Sequence, residues 1–255
     1  MVGLMAVGFV VVAGVAAFGL WQQSKRREAL FRWSVASGWS YEAQDDSLAY
    51  RWAGSPFGRG DEREGTEVLR GTWDGMPALS FTYVETNVSR DSDGKTSRSS
   101  TSYHVIALAM PSELPTVELT PEGLGAKLVK MVGGQDIQFE SDEFNRTYRV
   151  VGESPVVAHA IIHPRLMERL LAPDARGVAW RIEGNSILTW RTGSTDLGLI
   201  APRLGLLQQI VASVPRHVWL DHGYDPAARP NPNPNPDPAP NPNPNTAANP
   251  TEELS

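Results

Sequence analysis

The sequence predicts an α+β fold: an antiparallel, hairpin-rich sheet with packed helices, preceded by one transmembrane helix and followed by a disordered Pro/Asn tail. Three observations predict it. Apolar and polar residues alternate over several short segments joined by turn dipeptides, which is the pattern of half-buried antiparallel strands. Strands and helices come in blocks rather than in βαβ alternation. Both ends of the chain have compositions that cannot join a packed core.

The first end is "VGLMAVGFVVVAGVAAFGLW", about 20 residues free of charge. A helix of that length rises ~30 Å, the thickness of a bilayer's hydrocarbon core. Trp21 closes the run as an interfacial aromatic, and Lys25, Arg26 and Arg27 follow. The basic side stays inside, so residues 1–23 are expected to anchor the chain in the cell membrane as a single pass. Residues 2–21 would meet the lipid and the rest would face the cytoplasm. A cleaved signal peptide is the rival reading, because Val15-Ala16-Ala17 resembles a cleavage site. Its usual basic front is missing, and the charge lies on the wrong side.

The other end, residues 225–255, is built from Asn-Pro repeats. Alternate prolines favour extended polyproline II backbone and leave nothing to bury. Net charge is −6, and the tail holds four carboxylates against one arginine, so the remainder carries −3. No basic stripe is present to follow a nucleic-acid backbone, so that partner class is set aside. There is no cysteine, which removes disulfide and thiolate chemistry.

The domain expected to fold is therefore 24–224. Ser24 is placed to cap a helix over 25–37, with Leu30, Trp33 and Ala36 at helical spacing and Gly38 at its end. "SPFGRGDEREG" (55–65) reads as a loop. "TEVLRGTW" and "PALSFTYVE" flank Asp74-Gly75, a strong hairpin signal, with Leu79, Phe81 and Tyr83 on one face. Residues 86–101 are polar and are expected to form a mobile loop. "SYHVIALAM" then pairs back, "PTVELT" is a short strand, and Pro121 opens a helix over 121–132. "DIQFE" and "TYRVV" read as two strands around a Ser-Asp-Glu-Phe-Asn turn. Ser154-Pro155 and Pro164 start two helices. "GVAWRIE" and "SILTWRT" suggest a hairpin across Gly184-Asn185. A last helix is expected from Pro202 to Val214, with Leu204, Leu207, Val211 and Val214 on one stripe.

Candidate chemistry is sparse. Glu140, Asp142 and Glu143 could supply paired carboxylates if one were desolvated. Alternation puts Glu140 and Asp142 opposite Phe139, with Arg146 near enough to neutralise one of them. The competing reading is a solvated acidic turn anchored by Phe144 and Tyr148. His159 and His163 have the four-residue spacing of zinc ligands on a helix, but no glutamate follows the first and Pro164 follows the second. No third ligand is evident, so no metal and no cofactor is expected. "DSDG" (91–94) lacks the later ligands of a calcium loop. Nucleophile-elbow, S-x-x-K, P-loop and dinucleotide motifs are absent. Asn87 and Asn145 begin glycosylation sequons, inert in a cytoplasmic domain.

"LPTVELTPE", "GGQDIQFESDEFNRTYRV", "AIIHPRLMERLLA" and "WRIEGNSILTW" follow one another in an order that resembles a family of bacterial single-pass membrane proteins of actinobacterial type. That family has a Phe-Glu-Ser-x-x-Phe-Asn-Arg-x-Tyr-x-Val segment before a helix pair and a hairpin. The resemblance covers about residues 26–220 and implies a membrane location with no assigned function and no catalytic residues. Taken together, the sequence points to an interaction or scaffolding domain with a protein partner at the inner face of the membrane. The alternative is a metal- or carboxylate-dependent hydrolase using Glu140, Asp142 or His159.

Overall fold

A computed structural model describes residues 21–91, 94–122 and 135–228. The expected membrane run, the helix over 121–132 beyond its first residues, the middle of "DSDG" and nearly all of the Asn-Pro tail lie outside these residues.

The described chain is α+β, with seven antiparallel strands in one sheet and helices packed on it. Residues 21–37 are helical (α1). Ser24 lies inside this helix and does not cap it. Its buried stripe is Leu30 and Ser34 with Trp33 half-buried, whereas Ala36 is exposed. Gly38 ends it as expected, at φ +68°, with Gly38 N–H donating to Val35 O and Trp39 N–H to Ser34 O. That is a Schellman close, which needs the left-handed backbone glycine adopts without strain.

β1 (Ser40–Gln44), β2 (Glu62–Trp73), β3 (Met76–Arg90) and β4 (Thr96–Pro121) form a meander. The β2–β3 hairpin turns at Asp74-Gly75, both at positive φ, as an Asp-Gly turn should. Residues 86–90 and 96–101 are paired strands, not the expected mobile loop. Arg90 stands opposite Thr96, and the turn is closed by Asp91, whose side chain accepts from Lys95 N–H. This arm is polar because it projects beyond the core, so both of its faces meet water. Cross-strand contacts such as Thr86–Ser100 and Arg98–Glu62 take the place of apolar packing.

β4 is long enough to carry two neighbours in succession on one side, first β3 and then β6 (Tyr148–Gly152). β5 (Gln135–Ile137) adds beyond β6. On its other side β4 pairs with β7 (Trp180–Thr192) from Tyr103 to Leu119. The expected hairpin across Gly184-Asn185 is therefore not a hairpin: both arms of β7 pair with β4, not with each other. The bend is nevertheless there. Thr189 Oγ1 donates to Ala179 O at 2.6 Å, and Arg181 lies over the Trp190 ring at 5.2 Å. In a straight strand residues ten apart would be ~33 Å apart, so β7 doubles back. The reversal falls at Gly184, φ +58°, where the register with β4 also breaks.

The segment "SDEFN" is not a turn but the start of a short helix, α2 (Asp142–Thr147). Ser141 caps it by accepting from Phe144 N–H, and two acids follow in the first turn. α3 (Pro155–Ile161) and α4 (Pro164–Leu171) begin at the expected caps. α5 (Leu197–Ser213) starts five residues before Pro202, because Asp196 caps it and the helix absorbs the proline. Its predicted stripe is buried, Val214 included. Pro215 ends it, and a further helix, α6 (Arg216–Asp221), follows.

Two cores result. The larger lies between one sheet face and helices α1 to α6. The smaller holds Leu79, Phe81 and Tyr83 on the opposite face, covered by a 3-10 turn (Asp46–Tyr50) with Trp52 and Phe57.

Candidate functional site

The expected acidic candidates do not converge. Glu140 and Asp142 are exposed, and Glu143 pairs with Arg176 at 3.2 Å rather than with Arg146. Beneath them Phe139, Phe144 and Tyr148 form a buried aromatic run, with ring centroids 5.4 and 5.3 Å apart. Asn145 pairs with the backbone of Phe139 in both directions, accepting its N–H at 3.0 Å and donating to its carbonyl at 2.6 Å. Tyr148 donates its hydroxyl to Leu170 O at 2.8 Å and accepts from Gly177 N–H at 2.9 Å. The distinctive segment is thus a brace, and one of its ends fixes the backbone at Gly177.

His159 is exposed and packs at a tilt against Phe139, 4.7 Å between centroids. His163 caps α4, its Nδ1 accepting from Leu166 N–H. Among the described residues no cluster of three or more His, Asp or Glu side chains is placed to hold a metal.

One constellation invites a catalytic reading that sequence spacing hides. Ser80 Oγ lies 2.9 Å from His104 Nε2, both fully buried. Asp196 N–H donates to His104 Nδ1 at 3.2 Å. A backbone N–H can only donate, so Nδ1 is bare and the ring proton sits on Nε2, aimed at Ser80. That is the wrong tautomer for a base that would activate the serine. Burial also pushes the imidazole pKa down to about 4, so the ring is neutral.

The concave feature with recognition chemistry is a cleft of 440 Å³ at the mouth of the doubled-back strand. One wall is Gly177, Val178 and Ala179, the backbone that Tyr148 fixes; the other is Thr189 to Thr192. Ile106, Trp190 and Leu199 supply apolar surface, and Arg59, Arg191 and Arg203 supply charge. Among the described residues that line it there is no carboxylate. Arg191 pairs with Asp196 at 3.3 Å. Arg59 and Arg203 are half-buried and have no hydrogen bond or ion pair among the described residues. Burial, and then the positive charge of Arg191, lowers the pKa of Arg203.

Beside this cleft a second recess shares Arg191 and runs to Arg26, Ala29 and Leu30 of α1. Here α1 is latched to the sheet. Arg26 binds both oxygens of Glu67 and donates to Thr195 O at 2.7 Å. Glu67 sits at a bulge in β2, at φ +54°, and also accepts from Thr82 at 2.9 Å. Burial raises the Glu67 carboxyl, but the hydrogen bonds from Arg26 and Thr82 outweigh it and hold the pKa below the usual range.

Underneath, Arg181 and Glu118 form a buried pair, Arg181 Nε to Glu118 Oε2 at 2.7 Å. Arg181 also donates to Ala53 O and Ser55 O, which pins the loop bearing Arg59. Arg59 lies far along the chain from Arg191 and Arg203, which stand on the successive elements β7 and α5, so no local motif signals the three together.

No protein-family model and no curated protein matches the chain. Among solved structures, the chain is similar to the mycobacterial trehalose monomycolate transport factor A, at 17% identity and a TM-score of 0.48, over 73% of this chain and 90% of that one.

Proposed function

We propose that the protein is a membrane-anchored interaction module at the inner face of the cell membrane, and not a hydrolase. The observation that carries this is the latch on α1. The helix that follows the apolar run is fixed to the sheet by Arg26–Glu67 and by buried Leu30. It leaves Trp21, Phe31 and Val35 exposed, the last two four residues apart on one face. Held this way, α1 keeps one pose on the sheet and presents the same apolar strip beside the same cleft. Large exposed apolar side chains on a fixed helix suit a protein partner. The hydrolase alternative gains no support, because Glu140, Asp142 and His159 stand apart in solvent and His104 is locked in the wrong tautomer.

The test is a photo-crosslinking residue at Val35 in the full chain, irradiated in intact membranes. One or a few specific adducts are expected, and these should be lost in Phe31→Glu. Only diffuse lipid or no adducts would sink the interaction reading. Protease protection of an epitope on the Asn-Pro tail in intact cells checks orientation: the tail should be cut only after the membrane is opened.

A further inference from the structure

We propose that the arginine cleft binds an amphiphile: a phosphate or carboxylate headgroup on an apolar body, the headgroup held by Arg59 and Arg203 with Arg191 at the rim. The chemistry rests on the cleft alone; only its placement beside a bilayer rests on the interaction reading above.

Arg59 and Arg203 are half-buried and make no hydrogen bond or ion pair among the described residues, yet none of their nitrogens is among the buried unpaired atoms, so their donors face the cleft's solvent and are available to an anion. Four arginines elsewhere, at burials from exposed to full, are paired with carboxylates. Arg26 has Glu67, Arg169 has Asp174, Arg181 has Glu118 and Arg216 has Asp225. The carboxylate that acts electrostatically on Arg203 is Asp174, and Arg169 already binds both its oxygens. The described residues lining the cleft include three arginines and no carboxylate; Glu85, Asp174 and Asp196 offset part of that charge from outside the lining, and an incoming anion would neutralise the rest. The guanidinium fork matches the paired oxygens of a phosphate or carboxylate.

A free inorganic anion would use only part of this site. Ile106, Val178, Leu199 and the Trp190 ring form an apolar surface that such an ion cannot cover. The volume, 440 Å³, is that of a site for a small organic ligand. The walls are also held in place. Tyr148 fixes Gly177, Thr189 is bonded to Ala179, and Arg181 fixes the carbonyl of Ser55. Through Arg191 the cleft adjoins the recess against α1 at Arg26 and Ala29, close to Trp21 in the chain. A lipid headgroup and a soluble amphiphile are both within reach of that position.

The probe is n-hexyl phosphate, titrated calorimetrically into the full chain held in phosphatidylcholine nanodiscs. Inorganic phosphate and 1-hexanol serve as its two halves. Hexyl phosphate is expected to bind at least about tenfold more tightly than either half, since the headgroup gains charge-assisted bonds and the chain gains apolar contact. Arg203→Gln and Arg59→Gln should each weaken it by about tenfold, a lost bond to a charged group. Arg98→Gln, on the distant β3–β4 arm, should leave it unchanged. Hexyl phosphate binding no better than hexanol, or binding indifferent to both cleft substitutions, overturns the proposal. Nanodiscs containing phosphatidylglycerol decide the source. Competition with hexyl phosphate assigns the headgroup to the bilayer, and its absence assigns the ligand to a soluble amphiphile. Crosslinking from Val35 is read in parallel: if it persists while hexyl phosphate fails, the ligand class falls and the interaction reading stands.

Discussion

Tyr148 shows how one side chain connects a core to a surface site. Its ring completes the edge-to-face and tilted run that begins with Phe139 and Phe144, and its hydroxyl serves Leu170 and Gly177. Tyr148→Phe keeps the ring and strands the Gly177 N–H and the Leu170 carbonyl. It is expected to cost about 1–3 kcal/mol in urea unfolding and to loosen the cleft wall, read as faster amide exchange at 177–179. His104 carries a pH prediction. Its folded pKa, about 4, lies below the ordinary 6.5 because burial disfavours the charged ring. The unfolded chain therefore takes up the proton first as pH falls. Stability is whole above about pH 6.5 and declines towards pH 4, by about 2 kcal/mol between pH 7 and 5 from this group. In His104→Gln the urea midpoint should drop less between those pH values than in the native chain.

At the element scale, the sheet is held by close approaches as well as by its ladders. A Cβ on Gly71 would lie 2.4 Å from the Trp39 ring, which covers β2 at that point. Gly71→Ala must displace that ring, and a cost of about 2–4 kcal/mol is expected. Gly75→Ala provides the contrast: nothing lies within 4 Å of its Cβ, so any loss comes from its φ of +79° alone. The doubled-back β7 depends on Arg181, whose charge is buried with Glu118. Arg181→Met leaves a buried carboxylate alone and is expected to cost about 3–5 kcal/mol. Adding Glu118→Leu should recover part of that loss, measured as a double-mutant cycle. If the two losses simply add, the pair is not coupled.

For the whole molecule, the question is whether α1 and the sheet move as one body. The Arg26–Glu67 latch predicts that they do. Arg26→Ala should speed amide exchange along α1, with the far β3–β4 arm unaffected. The latch is also pH-dependent. Glu67 has a depressed pKa, so its contribution is present above the ordinary carboxylate range and is lost as pH falls through the folded value. Acidification should therefore loosen α1 in the native chain and have no further effect in Arg26→Ala.

Much of this fold was legible in local patterns because the forces concerned are local. Asp74-Gly75 had to turn, Ser154-Pro155 and Pro164 had to start helices, and the α5 stripe had to find a core. Phe144 and Tyr148 were expected beneath Asp142 and Glu143, and they are. The failures share a cause. Residues 86–101 have a composition that suggests a loop, yet 86–90 pair with 96–101 because a strand extending past the core can satisfy its backbone without apolar side chains. Gly184-Asn185 does bend the chain, but only the presence of β4 decides that both arms pair with it. The α+β class, most caps and turns, and the stripes that make the core can be read along the chain, since each follows from near neighbours. Where the charges go depends on how distant segments pack. Arg59, Arg191 and Arg203 meet at one cleft because β7 folds back and the loop before β2 is pinned to it, a juxtaposition set by long-range packing that no spacing along the chain encodes.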